Sequence, residues 1–159
     1  MSEGEIRKTV LIVDDVEDNR VLLERALRSS GYVTVSVESG MAALAYMSRE
    51  TPDIILLDWM MPGLNGLEVL RAIRLDHPMA HLPIIMCTAV GEEENVVEAI
   101  VAGANDYVTK PISIPILRAR MTAHLAQSAT VSTLNHEKVE AKRQLTEQTR
   151  RFFSARQAN

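Results

Sequence analysis

Residues whose side chains can handle phosphate and divalent cations recur along the chain, each just after an apolar run. Asp14 and Asp15 follow the first of these runs, and Asp58, Thr88 and Lys110 follow later ones. Carboxylates placed together at the edge of an apolar core repel one another, and burial favours their neutral form. A bound cation would reconcile them, and Mg²⁺ binds through one or two carboxylates together with phosphate oxygens.

Together these side-chain types can carry out one reaction, the phosphorylation of an aspartate. With Mg²⁺ present, one carboxylate can attack a phosphoryl group, while the metal and a lysine neutralise the charge on the transferring group. A hydroxyl such as that of Thr88 can hydrogen-bond a phosphoryl oxygen of the product.

Each candidate also has an ordinary structural explanation. An aspartate after a strand is often a helix cap, although Asp18 is a better cap candidate for the first helix. A lone threonine such as Thr88 is more often structural, and a lone lysine such as Lys110 usually lies in solvent. Cys87 is expected to be a small buried apolar residue. The joint arrangement favours function, because four of the five predicted strands end in a chemically matched set.

Apolar runs along the chain predict five strands. They lie at residues 8–13, 33–37, 53–57, 83–87 and 105–108. The first, third and fourth runs are almost continuously apolar, as in parallel strands that are covered on both faces. The second run ends in Glu38 and Ser39, without candidate chemistry, which suits a strand at the edge of the sheet.

Amphipathic stretches that predict helices alternate with the strands. They lie at residues 18–29, 39–49, 65–75 and 92–102, and a fifth starts near Ser113 and runs through Leu125. The first has Val21, Leu22 and Ala26 at helical spacing, with Leu27 as a further candidate. The fourth has Val96, Val97, Ile100 and Val101 at such spacing. The alternation predicts an α/β fold with a mostly parallel sheet and helices on both faces, in which ligands bind outside the carboxyl ends of the strands.

Composition indicates one globular domain with an appendage. The chain has 159 residues, of which 47% are hydrophobic and 24% are charged, as in proteins with a packed core. Its single cysteine, Cys87, excludes an internal disulfide and suits a reducing compartment. The first residues form no apolar signal segment and no apolar stretch is long enough to span a bilayer, so we expect a cytoplasmic protein.

Charge is divided unevenly along the chain. The net charge is −4, but residues 137–159 carry six lysine or arginine side chains against three glutamates, which leaves −7 for the rest. An acidic body is not the profile of a nucleic-acid-binding domain, and the basic residues of the tail are interspersed with acids. We therefore expect neither nucleic acid nor a membrane as a partner.

Four short motifs, in this order and at this spacing, resemble the response-regulator receiver domain of bacterial two-component signalling. They are Asp14-Asp15, LLDWMMPGLNG at residues 56–66, CTA at 87–89 and GANDYVTKP at 103–111. The resemblance covers about residues 7–126. It implies an α/β fold, a (βα)5 flavodoxin-like, doubly wound parallel sheet with strand order 2-1-3-4-5. We accordingly divide the chain into a receiver domain at 1–126 and a helical extension at 127–159.

The resemblance implies a role for each residue of the candidate site. Asp58 would accept the phosphoryl group from a sensor histidine kinase or a histidine phosphotransfer protein, and would also contribute to the metal site. Asp15 would bind Mg²⁺ directly, Asp14 largely through water, and the backbone carbonyl of Met60 would complete the protein's ligands. Lys110 would pair with the phosphoryl oxygens. Apart from the phosphorylation and dephosphorylation of Asp58 itself, we expect no enzymatic activity.

The resemblance also implies how phosphorylation would switch the domain. Thr88 would hydrogen-bond a phosphoryl oxygen, and Tyr107 would turn inward when Thr88 is drawn to the phosphate. The Lys110–Pro111 bond would be cis. The face formed by the fourth helix, the fifth strand and the fifth helix would repack and be read by a partner. Instead of another protein, a second copy of the chain is an alternative partner, either through this face or, from the sequence pattern of the tail, through the C-terminal helix.

The segment after Leu125 continues beyond a minimal receiver domain. Residues 127–157 contain no glycine or proline and carry a weak heptad pattern. The two sets of heptad positions are Val131, Lys138, Leu145 and Phe152, and Leu134, Ala141 and Gln148. The pattern predicts either a solvated helix or a helix that continues into a dimeric coiled coil or a signalling linker. RRFFS at residues 150–154 faintly resembles the start of nucleotide cyclase domains, so the chain is alternatively a receiver fragment that regulates a missing output domain such as a nucleotide or cyclic-dinucleotide cyclase.

Proteins of other classes fit the sequence less well. A flavodoxin-like cofactor binder needs a glycine- or hydroxyl-rich phosphate loop where this chain has aspartates. A phosphatase of the haloacid dehalogenase type needs a second aspartate two residues after the nucleophile, where this chain has Val16 or Met60. A P-loop kinase needs a glycine-rich loop that ends in Gly-Lys-Ser/Thr, which this sequence lacks. A protein-interaction module that is not phosphorylated stays as the alternative of another class.

Overall fold

The computed structural model describes residues 6–89 and 93–157, within which five strands alternate with five helices. The strands are β1 (Thr9–Val13), β2 (Val33–Val37), β3 (Ile54–Asp58), β4 (Ile84–Ala89) and β5 (Asp106–Lys110). The helices are α1 (Glu17–Ser29), α2 (Gly40–Met47), α3 (Gly66–Arg74), α4 (Glu93–Ala102) and α5 (Ile114–Gln157). Each element lies where the apolar pattern predicts an element of that type.

All five strands lie parallel in one sheet, in the order β2-β1-β3-β4-β5. The predicted (βα)5 flavodoxin-like fold and its strand order are thereby confirmed. The order of the strands reverses between β1 and β3, and in open α/β sheets ligands bind outside the carboxyl ends of the strands at such a point. The fold therefore directs attention to the residues that end β1 and β3.

The strands bury side chains on both faces of the sheet. Leu11 and Val13 of β1 belong to one apolar cluster, together with side chains from α2, α3 and α4. Val10 and Ile12 belong to a second cluster, together with side chains from α1 and α5. Because successive side chains of a strand point to opposite faces, a strand between two helical layers must be apolar at nearly every position. The continuous apolar runs of the sequence follow from this three-layer arrangement.

Two helices pack with a different face than their most apolar stripe predicts. In α1 the buried residues are Leu23 and Leu27, while Leu22 is 62% exposed. In α4 Ala99 is fully buried, while Val101 is 83% exposed. A small side chain lets a helix lie close to its neighbours at native packing density, so Ala99 rather than a larger residue marks the packed face. The residues that are exposed contrary to the predicted pattern are Val21, Leu22, Val97, Ile100 and Val101.

The strands β3, β4 and β5 run one or two residues further than the apolar runs that predict them. Asp58 pairs with Cys87 at the end of β3, and Ala89 pairs with Lys110 at the end of β5. These residues keep strand geometry because their backbone groups still bond to the neighbouring strand. Asp58, Thr88 and Lys110 therefore lie on the sheet itself rather than on the loops after it.

The helix α5 continues without interruption far beyond the sheet. It has 44 residues, so at a rise of 1.5 Å per residue it is about 66 Å long. Ser128 Oγ donates a hydrogen bond to the backbone carbonyl of His81 at 3.0 Å, and Asn135 Nδ2 lies 3.3 Å from His81 Nε2. The predicted helical extension is confirmed, whereas the boundary at residue 126 coincides with no break in the helix and stays a prediction. Despite this length, no helix in the described ranges is apolar enough to cross a bilayer.

Candidate functional site

Two carboxylates and one hydroxyl are buried where β1, β3 and β4 end. Asp14, Asp58 and Thr88 are 3%, 5% and 2% exposed. Asp14 directly follows β1, Asp58 is the last residue of β3, and Thr88 is the last but one of β4. Parallel neighbours in a sheet carry their carboxyl ends to the same edge. The sheet therefore brings together residues that are far apart in the sequence.

Asp15 forms a cluster of three carboxylates with Asp14 and Asp58. One oxygen of each side chain lies within 4.8 Å of the others. Asp15 is exposed and the other two are buried, so the cluster opens to solvent on the side of Asp15. Oxygens this close together can bind one cation jointly, and carboxylate oxygens are ligands that Mg²⁺ prefers.

Lys110 forms salt bridges to two of the three carboxylates. Its Nζ lies 2.9 Å from Asp58 Oδ1 and 3.4 Å from Asp14 Oδ2. Burial lowers the pKa of Lys110, but the hydrogen bond and negative charge of Asp58, together with Asp14, raise that pKa above its ordinary value. The lysine is therefore held as an ammonium ion beside the carboxylate that ends β3.

The pKa of Asp58 is raised above that of an ordinary aspartate. Burial is the largest cause; the ion pair with Lys110 opposes it, and the negative charges of Asp14 and Asp15 add to it. One shared ammonium thus does not compensate for placing this carboxylate in a buried position beside two others. Carboxylates perturbed by both burial and neighbouring charge are typical of functional sites.

Asp14 is also held by the turn that leads into α1. Its Oδ1 accepts a hydrogen bond from the backbone N–H of Val16 at 2.9 Å, and its Oδ2 accepts one from Asn19 Nδ2 at 3.2 Å. The guanidinium of Arg20 donates to the backbone carbonyl of Asp14 at 2.8 Å. The prediction that Asp18 caps this helix is wrong, because Val16 is the N-cap, without a side-chain hydrogen bond, and Asp18 lies within the first turn. The sequence pattern gave no signal for the contacts of Asn19 and Arg20, which depend on how α1 packs beside β1.

The hydroxyl of Thr88 is buried and, across the described part of the chain, its Oγ1 has no hydrogen-bond partner. Buried hydroxyl groups are nearly always paired, since leaving one unpaired costs about 1–3 kcal/mol. An acceptor oxygen bound beside Asp58 would remove that cost. This atom therefore supports a ligand with phosphoryl oxygens at the end of β3.

The loop after Asp58 approaches the site closely. The backbone N–H of Gly66 donates to the carbonyl of Trp59 at 2.9 Å, and a Cβ at Gly66 would collide with the backbone carbonyl of Asp58. Gly63 has a φ of +77°, a conformation that glycine adopts without strain. Met60, whose carbonyl is predicted to bind the metal, lies in this loop with an exposed side chain.

Two further features of β5 concern the predicted switch. Tyr107 is 37% exposed, so its ring lies at the surface, from where it is predicted to turn inward. The peptide bond between Lys110 and Pro111 is cis, as the resemblance implies.

Comparison with known proteins places this fold and site in a family. A sequence profile described as "Response regulator receiver domain" matches residues 10–122. The match runs from β1 into α5 and includes every candidate site residue. The chain belongs to the response regulator receiver domain family, and is therefore a receiver domain of the kind found in two-component signalling.

The chain is similar to regulators with different printed roles. It is 42% identical over 123 residues to the phosphate regulon transcriptional regulatory protein PhoB of Pseudomonas aeruginosa, covering 77% of this chain and 54% of PhoB. It is 36% identical over 113 residues to the chemotaxis protein CheY of the same organism, covering 70% of this chain and 91% of CheY. The solved receiver domain of the Francisella response regulator 1452 superposes with a TM-score of 0.71 at 30% identity, covering 77% of this chain and 99% of that one. The chain spans about half the length of the phosphate regulon regulators that it matches.

Proposed function

We propose that the chain is a phospho-accepting receiver, in which Asp58 takes a phosphoryl group from a sensor histidine kinase or a histidine phosphotransfer protein. The observation that carries this proposal is the position of Asp58, which is buried at the end of β3 beside two carboxylates and 2.9 Å from Lys110 Nζ. Membership of the receiver family supports the same role, because receiver domains of response regulators generally take phosphoryl groups from histidine kinases.

The residues present fit a bound Mg²⁺ ion. Asp15 would bind it directly and Asp14 largely through water. Asp58 and the backbone carbonyl of Met60 would complete the protein's ligands. Three carboxylates and the ammonium of Lys110 leave an excess of two negative charges, which equals the charge of one divalent ion. When bound, Mg²⁺ would supply charge neutralisation for the carboxylate and for the transferring phosphoryl group.

The residues of the chain account for the rest of the transfer. A carboxylate oxygen of Asp58 attacks phosphorus, so that an O–P bond forms while the P–N bond to the donor phosphohistidine breaks. Because the second ring nitrogen of that donor already carries a proton, the bonding pair returns to the ring and a neutral imidazole leaves. Lys110 pairs with the phosphoryl oxygens, and the hydroxyl of Thr88 donates a hydrogen bond to one of them. Water later hydrolyses the acyl phosphate and restores Asp58. We propose no further catalysis on other molecules.

Phosphorylation would be read at the output face, formed by α4, β5 and the part of α5 beside them. The modification adds roughly 1.5–2 negative charges at the carboxyl edge of the sheet. Thr88 would move toward the phosphoryl group and Tyr107 would turn inward. On α4 the side chains of Val97, Ile100 and Val101 are exposed, and an apolar surface of this kind suits a protein partner. The phosphoryl group must favour one conformation by a few kcal/mol to act as a switch.

Two alternative functions differ from this proposal. The chain is alternatively the receiver part of a longer protein with an output domain, such as a nucleotide or cyclic-dinucleotide cyclase. The phosphate regulon regulators, which are matched over about half of their length, agree with this alternative, whereas CheY is matched over 91% of its length. A protein-interaction module that is not phosphorylated would not need the carboxylates, the lysine and the unpaired hydroxyl together. We place the protein in the cytoplasm, where its lone thiol would stay reduced.

Incubation with Mg²⁺ and acetyl phosphate, followed by intact-mass spectrometry, tests the proposal. We expect the addition of one phosphoryl group to the wild type, stable in acid and labile in base, and none to Asp58→Asn. Asp18→Asn is the matched control, because Asp18 is an exposed carboxylate near the site but outside the cluster. It should be labelled like the wild type. An unlabelled wild type, or equal labelling of Asp58→Asn, would contradict the proposal.

A further inference from the structure

The last part of α5 projects beyond the receiver domain with its side chains in solvent. Past Asn135, which contacts His81, every side chain from residue 136 to 156 is exposed except the half-buried Glu140. This segment is about 30 Å long. Helices in water gain most of their stability from packing an apolar stripe rather than from intrinsic propensity. The apolar residues of this segment therefore need a partner.

One stripe of the helix, which we call the seam, has the spacing of a coiled coil. Its positions are Val131, Leu134, Lys138, Ala141, Leu145, Gln148, Phe152 and Ala155. Six of these eight residues are apolar, whereas Val139 and Phe153 are the two apolar residues among the eleven on the opposite side between 132 and 154. Leu145 and Phe152 are 65% and 61% exposed. A stripe that repeats every 3.5 residues faces a second helix continuously when the two supercoil.

The seam continues toward the sheet into an open crevice beside the receiver domain. The crevice has a volume of about 640 Å³ and lies between α5 and the loop that carries Met79 and Ala80. Its helical lining includes Val131, the first seam residue, together with His124 and Gln127, which occupy the two preceding positions of the same three-and-four spacing. A second helix that follows the seam would therefore also cover this crevice.

We propose that the seam is a homodimer interface, in which α5 of one copy packs against α5 of another as a parallel, in-register coiled coil. A second copy is the occupant because the stripe is self-complementary: around a two-fold axis each seam residue meets its own counterpart. The flanking charges agree with this arrangement, since it places Glu137 of one helix opposite Lys142 of the other. The proposal goes beyond the phosphorylation of Asp58 and does not depend on it.

The same arrangement makes the dimer weaker than an ideal coiled coil. Lys138 and Gln148 lie within the seam, where polar residues lower stability and help to fix the register. Near the end of the helix, Arg151 of one copy lies opposite Arg156 of the other with like charge. Added salt screens both this repulsion and the attraction between Glu137 and Lys142. Because residues 137–159 carry a net charge of +3 in each copy, repulsion dominates and the dimer should become tighter as ionic strength rises.

Sedimentation equilibrium of the whole chain over a range of concentrations tests the interface. Leu145→Asp and Phe152→Asp should each raise the dissociation constant about tenfold or more, because a charge enters the seam from both helices. Val139→Asp and Phe153→Asp are matched controls, since these residues are 66% and 58% exposed but lie outside the seam. They should change the constant by no more than about twofold. Lys138→Leu should tighten the dimer.

A chain that stays monomeric at every concentration, with Lys138→Leu as well as in the wild type, would overturn the proposal. Equal effects of Phe152→Asp and Phe153→Asp would overturn it too. Val101→Asp tests the output face as the rival interface, and a dimer lost with Val101→Asp but kept with Phe152→Asp would count against the seam. The urea unfolding midpoint of each variant checks the receiver fold without reference to phosphorylation, so this proposal can fail separately from the proposed function.

Disulfide cross-linking tests the parallel orientation. Cys87 is the sole cysteine, so Gln148→Cys combined with Cys87→Ala carries a single thiol within the seam. Two such thiols face each other in a parallel, in-register dimer, and mild oxidation should give a covalent dimer. Arg143→Cys in the same background places its thiol on the outer side of the helix and should cross-link poorly. A dimer in which both variants cross-link equally would overturn the parallel arrangement.

Discussion

Asp58 and Lys110 form the shorter of the two ion pairs at the site, at 2.9 Å, yet the pKa of Asp58 stays above its ordinary value. Burial removes the favourable hydration of the charged carboxylate. An ammonium that is shared with Asp14 does not fully compensate for that hydration free energy. Thr88 also has an unsatisfied group, because its buried hydroxyl lacks a hydrogen-bond partner among the described residues. A cation and a phosphoryl group would satisfy both, so at the residue scale the site is arranged for ligands rather than for stability.

Because this hydroxyl has no partner among the described residues, we expect Thr88→Val to keep the stability of the fold but to lose the conformational response to phosphorylation. Valine fills a similar volume without the hydroxyl, so the free energy of unfolding should stay within about 1 kcal/mol of the wild type or rise. Urea unfolding measures this. The phosphorylated variant should lack the wild-type shifts in the amide NMR signals of α4 and β5, because the hydrogen bond that draws residue 88 inward is gone.

Thr88→Ser is the control for this prediction, since it keeps the hydroxyl and should keep the NMR response. A loss of more than about 2 kcal/mol in Thr88→Val would show that the hydroxyl has a structural partner. A full NMR response in Thr88→Val would show that the hydroxyl does not transmit phosphorylation.

The ion pairs of Asp106, at the start of β5, lead us to expect that the folded state loses stability in acid. Arg120 and His124 lie 2.8 Å and 2.9 Å from its carboxylate. Burial raises the pKa of Asp106, but hydrogen bonds from His124, Arg120 and the backbone N–H of Tyr107 bring it below the ordinary value of 3.8. A carboxylate whose pKa is lower in the folded state stabilises the fold above the unfolded pKa, and this contribution is lost as the pH falls through the folded one.

Urea titrations of Asp106→Asn at several pH values measure this contribution. The variant should be about 1–2 kcal/mol less stable than the wild type near neutral pH, and the difference should shrink below about pH 4. A difference that is independent of pH would mean that the charge of Asp106 contributes nothing to the folded state.

At this scale the sequence identifies the chemistry but not the support around it. Asp14, Asp58 and Lys110 could be predicted to converge because each ends an apolar run, and parallel strands carry such ends to one edge. The contacts of Asn19 and Arg20 with Asp14 could not, because they depend on the angle at which α1 leaves the sheet. Whether these residues carry out the proposed roles stays a prediction.

At the scale of elements, strands are easier to predict than the faces of helices. A strand buried on both sides is apolar at nearly every position, so its location needs no knowledge of its neighbours. A helix is buried on one stripe only, and which stripe depends on what it packs against. The pattern of α1 therefore included Leu27, which is buried, but missed Leu23, and the pattern of α4 missed Ala99.

In the loop between β3 and α3, we expect two glycine substitutions to differ in their effects on stability and on labelling. Gly66→Ala would place a methyl group against the backbone carbonyl of Asp58 and the Cα of Trp59, so it should lower the free energy of unfolding by about 1–3 kcal/mol. It should also slow labelling by acetyl phosphate, because the displaced atoms belong to the acceptor. Urea unfolding and the rate of labelling measure the two effects.

Gly63→Ala is the matched control in the same loop. A Cβ at Gly63 meets nothing within 4 Å, and its φ of +77° alone makes alanine unfavourable, by about 1–2 kcal/mol. Labelling of this variant should proceed at close to the wild-type rate. Equal losses of labelling in both variants would mean that the loop acts through its overall flexibility rather than through the contact at Gly66.

At the scale of the whole molecule, α5 connects two regions with different properties. It begins just after Lys110 at the carboxyl edge of the sheet, passes the loop that carries His81, and ends in the exposed seam. A rigid helix between a phosphorylation site and an interface can transmit a change only if the two ends have alternative arrangements. The length of this helix could be predicted from the absence of glycine and proline, whereas its packing against His81 could not.

The division of charge agrees with two regions of separate function. The body carries −7 and holds the carboxylate cluster, while residues 137–159 carry the balance of +3. The three carboxylates around the acceptor favour cations over anions near Asp58, which suits a divalent ion more than free phosphate. The proposed phosphorylation of Asp58 therefore depends on that ion.

The rate of labelling by acetyl phosphate, measured against Mg²⁺ concentration, tests most directly whether phosphorylation of Asp58 depends on a divalent ion. We expect the rate for the wild type to rise with Mg²⁺ and saturate, and to vanish when the ion is chelated. Asp15→Asn should need about tenfold more Mg²⁺ or more to reach half of its maximal rate, because it loses a carboxylate ligand. Peptide mapping should place the phosphoryl group on Asp58. Labelling of Asp58 that proceeds at the same rate without any divalent ion would contradict the account.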